Sequence, residues 1–494
     1  MNKAASVTAG VIVAAGVLAC VGAWYTGTRL EGVLQDSIRQ ANQQMQQSMP
    51  GADGKPRGSI ELVSLDRHLF SSEAHYRLTV QGHELGLGDA PVQLEFVDHI
   101  EHGPLPLSRL KSLDLVPVMA VSNFALQNTP ATQNWFAMNG GAVPLKGQAA
   151  LHYDRSTDNR MELLPLQLEL PGRVLKFSAM TLNVSATQDA AKYQLSGVLD
   201  SLLMDITGDG GPLHAELHGL DLSGGGTRGA SGFYLGHTDI KVASTQFQVP
   251  GRPAVLLSGT AATSLLQEVE GKLSAQVNYD VSALRVGDKD IGTAQMAWKF
   301  DRFDIAASKS LNALYQNRVV PQQQAAMLMD EPLELHLTQA DREQLNTAMT
   351  SLLSAKPHIE LEKFSLKTAN GESHMSLVVD LDNPGLVEQQ PADLWLRAIS
   401  QLDAKVLLSK PMISDVASAQ AQLQGLTDPT AIATQAKNAS DTLASMAVMF
   451  QWGKVEGDNV VSNLHYANGT VDFNGQKMTP HQFIGLVAGR FVQQ

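Results

Sequence analysis

The sequence predicts an α+β fold: one N-terminal transmembrane helix, then a large, mainly antiparallel β-sheet region with interspersed and C-terminal helices. Three observations predict it. An uncharged apolar stretch lies near the start, period-two alternation runs through residues 59–304, and helical spacing appears in patches among residues 305–494.

No charged side chain occurs between Lys3 and Arg29. As a helix, Val7 to Tyr25 would span roughly 28 Å at about 1.5 Å per residue, close to the thickness of bilayer hydrocarbon. Trp24 and Tyr25 close the stretch, where amphipathic rings favour the headgroup region. Lys3 and the amino terminus precede it, so residues 1–6 are expected in the cytoplasm, 7–25 in the inner membrane as a single pass, and the bulk in the periplasm. Against a cleaved signal peptide, the apolar stretch is long and no polar region with small residues follows it. Cys20, the only cysteine, stands in a sequence that partly imitates a lipoprotein cleavage site, although Leu18 is large for its place. The exported part has no thiol, which excludes cysteine nucleophiles and thiolate metal sites there.

Residues 26–49 read as a juxtamembrane helix, without Pro or Gly from Val33 to Met49. Leu30, Leu34, Ile38, Ala41, Met45 and Met49 form a narrow apolar stripe. Such a stripe serves either a coiled coil that makes a homodimer or a helix laid on the exported domain. The turn-rich "PGADGKPRG" ends it.

From Ser59 to Asp304 short runs alternate apolar and polar residues: Tyr76, Leu78 and Val80; Leu164, Leu166, Leu168 and Leu170; Leu273, Ala275, Val277, Tyr279 and Val281. About a dozen antiparallel strands with one buried face follow from this pattern. Residues 308–328 and 338–355 lack the alternation, and Thr338 with Asp341 three positions later makes a capping arrangement. Strands return over 358–383, with Asn370-Gly371 as a hairpin turn; residues 411–452 read as helix; a last hairpin turns at Asn468-Gly469.

The net charge of −13 excludes nucleic acid as a partner, since phosphate binding needs a concentrated basic face. The strongest candidate chemistry is "EFVDHIEHGPLPLSRL" (95–110). Val92, Leu94 and Phe96 alternate, so the strand should continue to Ile100 and place His99 with Glu101 on one face, Asp98 with Ile100 and His102 on the other. The histidines then point apart, and His99, His102, Gly103 and Pro104 read as a structural turn rather than a metal site. His214 and His218 would chelate on a helix, but on the strand that their neighbours predict they stand about 13 Å apart. Gly224, Gly226 and Gly229 match a dinucleotide-loop spacing, but a strand-like sequence follows where that fold needs a helix. No catalytic, cofactor or metal residues are assigned, and the chain is expected not to be an enzyme; the alternative is an envelope hydrolase with dispersed catalytic residues.

"GAWYTGTRLE" (22–31), "FSSEAHYRLTV" (70–80), "EFVDHIEHGPLPLSRL", "PVMAVSNFAL" (117–126) and "LHYANGTVDFNG" (464–475) together resemble the YdgA-like family of bacterial inner-membrane proteins. Leu105 stands where that family is expected to carry a bulkier aromatic. The resemblance implies one anchor, a large periplasmic domain and a dimer, and it implies no activity and no site residues. The expected role is binding of an apolar ligand, such as lipid, or of an envelope partner through a long sheet.

Overall fold

The structure is a computed structural model that describes residues 58–68, 70–80, 90–111, 113, 115–170, 172–208, 211–329, 332–385 and 397–491, with positions 34, 35, 38, 39, 41–43 and 45. The segment 7–25, read from the sequence as an anchor, lies outside the described residues, as do Leu30 and Met49. Among the described residues no helix is long and apolar enough to cross a membrane. The expected large antiparallel sheet with several helices is present, and strand dominates so far over helix that the fold is mainly β. The chain forms two compact units. The first takes the described residues up to Thr207 with His218–Arg228 and Tyr315–His336; the second takes Gly208–Leu217, Gly229–Leu314 and the described residues from Leu337 on.

In the first unit, β1 (Gly58–Arg67), β2 (Ser71–Val80), β3 (Val92–His102), β4 (Ala120–Leu126), β5 (Leu145–Leu151) and β6 (Thr157–Leu163) form an antiparallel meander. It continues through β7 (Leu166–Leu170), β8 (Arg173–Phe177), β9 (Met180–Ala186) and β10 (Lys192–Gly208). β6 and β7 are collinear, and so are β8 and β9: Leu163 faces Met180 and Leu166 faces Phe177 in one unbroken register. β10 pairs with both of the latter in the same way, Leu199 opposite Met180 and Leu202 opposite Phe177.

Pro165 causes the interruption, because it has no N–H to give to the ladder. Trp135, on the short helix Gln133–Met138, donates its indole N–H to the carbonyls of Pro165 at 2.9 Å and Leu164 at 3.3 Å, and Asn139 donates to Pro165 at 3.0 Å. On the facing strands Ser178 Oγ accepts from the Ser201 amide at 2.8 Å. The backbone groups released by the proline are thus satisfied by side chains.

The core of this unit lies on one sheet face, where Ile60, Tyr76, Phe96, Phe124, Leu145 and Met161 are buried. The Phe96 and Phe124 rings meet edge to face at 6.5 Å. Leu34, Ile38, Ala41 and Met45, which are helical, are buried in the same cluster. The apolar stripe is therefore laid on its own chain's sheet, the second of the two uses its spacing allows. Burial of each large member contributes about 1.5–3 kcal/mol. Asn42 fixes the register: its side chain donates to the Ile60 carbonyl at 2.9 Å and accepts from the Ile60 amide at 2.8 Å. A polar helix side chain thus covers backbone groups of β1 that would otherwise template pairing with another strand.

β11 (Gly211–Arg228) gives its first residues to the second unit and the rest to the first. In the second unit, β12 (Tyr234–Gln248), β13 (Val255–Val269), β14 (Lys272–Val286), β15 (Lys289–Asp304), β16 (His358–Lys367), β17 (Glu372–Leu381) and β18 (Ile399–Ser409) pair in sequence order, all antiparallel. β18 then pairs with β20 (Asn459–Ala467), whose other edge takes β19 (Lys454–Glu456) and β21 (Thr470–Phe473); β22 (Gln476–Met478) pairs with β21.

The Asn468-Gly469 turn has φ of 51° and 73°, the paired positive values of a type I′ hairpin. The Asn370-Gly371 hairpin is also present, but neither residue has positive φ; Thr368 N–H donates to the Gly371 carbonyl and closes a wider loop. The helix Gln339–Ser354 starts at the expected Thr338–Asp341 capping box. The helical stretch read over 411–452 is two helices, Lys410–Leu423 and Pro429–Met449. Gly425, with φ of 91°, ends the first, and Asp428 caps the second with Pro429 behind it. Ser414 and Ser440 bond across the pair at 3.1 Å.

Candidate functional site

β3 runs to His102 as the alternation predicts. His99 is exposed on one face, and Asp98 and Ile100 are buried on the other, with His102 following on their side. His102 bonds Ser72 Oγ through Nε2 at 3.0 Å, and burial pushes its ring below the ordinary histidine value. Gly103 has φ of 100°, a conformation suited to glycine, and its N–H reaches the Met119 carbonyl at 3.2 Å. The Pro104 carbonyl accepts from Val118 N–H at 3.0 Å. Gly103 and Pro104 therefore close the base of the loop that follows, while His99 lies within β3 and the two rings face apart.

His214 and His218 both lie on β11 at strand spacing. Gly224 and Gly226 belong to that same strand, and β12 rather than a helix follows Gly229. Among the described residues no group of three His, Cys, Asp or Glu side chains is placed to hold a metal.

The sequence reading missed Asp98 as anything but a neighbour. It is fully buried in the apolar face of the first unit, in phase with Leu94, Phe96 and Ile100. Oδ1 accepts from Ser122 Oγ at 2.7 Å, while Oδ2 and the nearby Tyr76 hydroxyl are buried with no hydrogen-bond partner. Burial raises the Asp98 carboxyl to about 7, against the bond from Ser122, and Tyr76 is raised above its ordinary value by burial and then by Asp98. The available signal was a carboxylate at an apolar position of the alternation.

The most extended feature able to take a ligand is one face of the second unit's sheet. Residues directly opposite on paired strands share a face. One row reads Leu266, Ala275, Phe300, Ile359, Val379, Leu402, Tyr466, Val471 and Met478. Two positions along each strand the same face reads Val277, Trp298, Leu361, Leu377, Ala404, Leu464 and Phe473. The next row reads Ile240, Ala262, Tyr279, Met296, Phe364, Met375 and Val406. A bulge at Glu362 keeps Phe364 in phase with Leu361. The opposite face is mostly polar: one row reads Gln276, Lys299, Glu360, Val378, Asp403, His465, Asp472 and Lys477, with His465 Nδ1 held by Asp403 at 2.6 Å.

The apolar face is not sealed. Leu361, Val471 and Phe473 are buried, but Trp298, Phe300, Leu377, Val379 and Leu402 are half-buried, and Ile240, Tyr279 and Phe364 are exposed. Trp298 and Phe300 stack at 5.9 Å. The helix pair covers only limited ground, packing Ala419 against Val286 and Ile291, and Ala444 and Ala447 against Val460. Covering each large half-exposed side chain would contribute on the order of 1 kcal/mol.

Residues 1–481 match the family described as a bacterial protein of unknown function, DUF945, and the chain belongs to that family. Protein YdgA of Escherichia coli strain K12 is similar, 27% identical with 99% of this chain and 97% of that protein covered. The uncharacterized protein YihF of the same organism is 21% identical over 98% of both. An uncharacterized protein of Haemophilus influenzae is 23% identical over 63% of this chain and 85% of its own length. No solved structure matches.

Proposed function

We propose that this chain is a non-enzymatic envelope protein, anchored in the inner membrane by Val7–Tyr25 with its bulk in the periplasm, and that the apolar face of β13–β18 and β20 binds an apolar ligand of the lipid class. The observation that carries this reading is the row structure described above: three adjacent apolar rows crossing many strands, half-exposed, on a sheet whose other face is mostly polar. A sheet face of that extent exceeds the scattered apolar exposure of an ordinary surface and matches what a long acyl chain could cover. The family membership brings no activity to transfer. The Leu34–Met45 stripe is occupied within its own chain, so the proposal routes no dimer through it.

Photocrosslinking tests the reading. A benzophenone amino acid replaces Leu377 or Leu402 on the apolar face, and Ser376 on the polar face serves as control. After irradiation in cells, adducts of phospholipid mass on the Leu377 and Leu402 variants but not on the Ser376 variant are expected. Protein-sized adducts instead would favour an envelope partner, and no adduct at either apolar position would end the lipid reading.

A further inference from the structure

The loop that β3 leads into is built inside out. It leaves the sheet at Gly103 and returns at Met119, with its neck closed by the Gly103–Met119 and Val118–Pro104 backbone bonds. Its short helix Leu107–Lys111 leaves Lys111 exposed but turns Arg109 inward: Arg109 is 7% exposed, whereas Leu107 is 60% exposed. Beyond it Leu113 is 83% exposed, and Leu110, Leu115 and Val116 also face solvent. Phe70, 75% exposed at the β1–β2 turn, is held beside the loop because its carbonyl accepts from His102 N–H at 2.9 Å. Single exposed leucines need no explanation, but a helix that buries its arginine and shows its leucines leaves an apolar patch that water does not favour.

Where the chain enters this unit says what covers the patch. The described helical residues between Leu34 and Met45 run antiparallel to β1, with Met45 beside Gly58 and Asn42 bonded to Ile60. At about 1.5 Å per residue, position 34 lies roughly 12 Å past Asn42, towards the Arg67 end of a strand that rises about 3.3 Å per residue. That is the end carrying Phe70 and the inverted loop. The uncharged segment Val7–Tyr25 is separated from position 34 by only a few residues in sequence. We infer that the tip formed by Phe70, Leu107, Leu110, Leu113, Leu115 and Val116 is a bilayer seat: it inserts at the interface of the membrane that holds the anchor, and so sets the first unit upright on that membrane. Apolar side chains at headgroup depth are the usual means of such seating. The inference rests on the anchor reading proposed above.

The test uses the full chain in nanodiscs of phosphatidylethanolamine and phosphatidylglycerol. In a Cys20→Ser background, nitroxides are attached at Leu113→Cys, Leu115→Cys and, as control, Met138→Cys. Met138 is exposed on the helix beyond the Leu126 end of β4, away from the tip. Collision rates with oxygen and with a water-soluble nickel chelate are compared. The expected result is an oxygen-to-nickel ratio several-fold higher at 113 and 115 than at 138. A nickel-accessible tip would overturn the inference, and so would a tip shielded from both, which would mean a protein cover. Carbonate washing of membranes separates the two proposals: release of the wild-type chain sinks the anchor reading and the seat with it, whereas retention with an aqueous tip sinks the seat alone.

Discussion

Asp98→Asn isolates a carboxylate that is wholly buried among apolar residues of the first unit. Its carboxyl stands at about 7 in the fold, against about 3.9 in the unfolded chain. The folded state therefore holds one more proton than the unfolded chain between those values, and stability must fall as pH rises through that window. The slope is about 1.4 kcal/mol per pH unit, so going from about pH 5.5 to pH 7 loses roughly 2 kcal/mol, with no further loss from this group above pH 7. The full cost of the buried charge at about pH 8 is on the order of 4 kcal/mol. Asparagine keeps an oxygen for Ser122 Oγ and cannot ionise, so the variant should lose this pH dependence and gain stability above neutrality. Amide hydrogen exchange of β2–β4 peptides in the full chain, corrected for the intrinsic effect of pH, reads the local unfolding free energy. Parallel pH profiles for wild type and Asp98→Asn would refute the reasoning, because they would place the titrating group elsewhere.

Two further outcomes test the packing. Trp135→Phe keeps the ring contact with Phe177 but removes the donor that satisfies the carbonyls of Leu164 and Pro165, and should cost about 1–2 kcal/mol in thermal unfolding of the first unit; no change would mean that the proline break needs no indole. Thr338→Ala removes half of the capping box and should cost about 1 kcal/mol, seen as faster amide exchange in the first turn of Gln339–Ser354 and not at its end.

Much of the architecture could be read from the chain before any coordinates. The alternation of Val92, Leu94 and Phe96, continued to Ile100, correctly places His99 and His102 on opposite faces, because side-chain direction in a strand follows from local geometry alone. Asn468-Gly469 marked its hairpin for the same reason: positive φ at successive positions is a local preference of those residues. The capping box at Thr338 and Asp341 is equally local. The break at Gly425 to Pro429 is also local, a positive-φ glycine followed by a proline, set within an Ala-rich run that by composition alone reads as one helix.

What the sequence by itself determined is thus the elements, their faces and their turns, each set by neighbours a few residues away. Only the tertiary structure decided which strands lie opposite one another, and hence that Phe300, Ile359, Val379 and Leu402 fall into one row of an unsealed face. It alone turned the Leu34–Met45 stripe onto its own sheet, enclosed Asp98, and put Arg109 inside while its leucines face out. Periodicity states that a face is apolar; what covers that face depends on contacts between residues far apart in sequence, and those are fixed by packing.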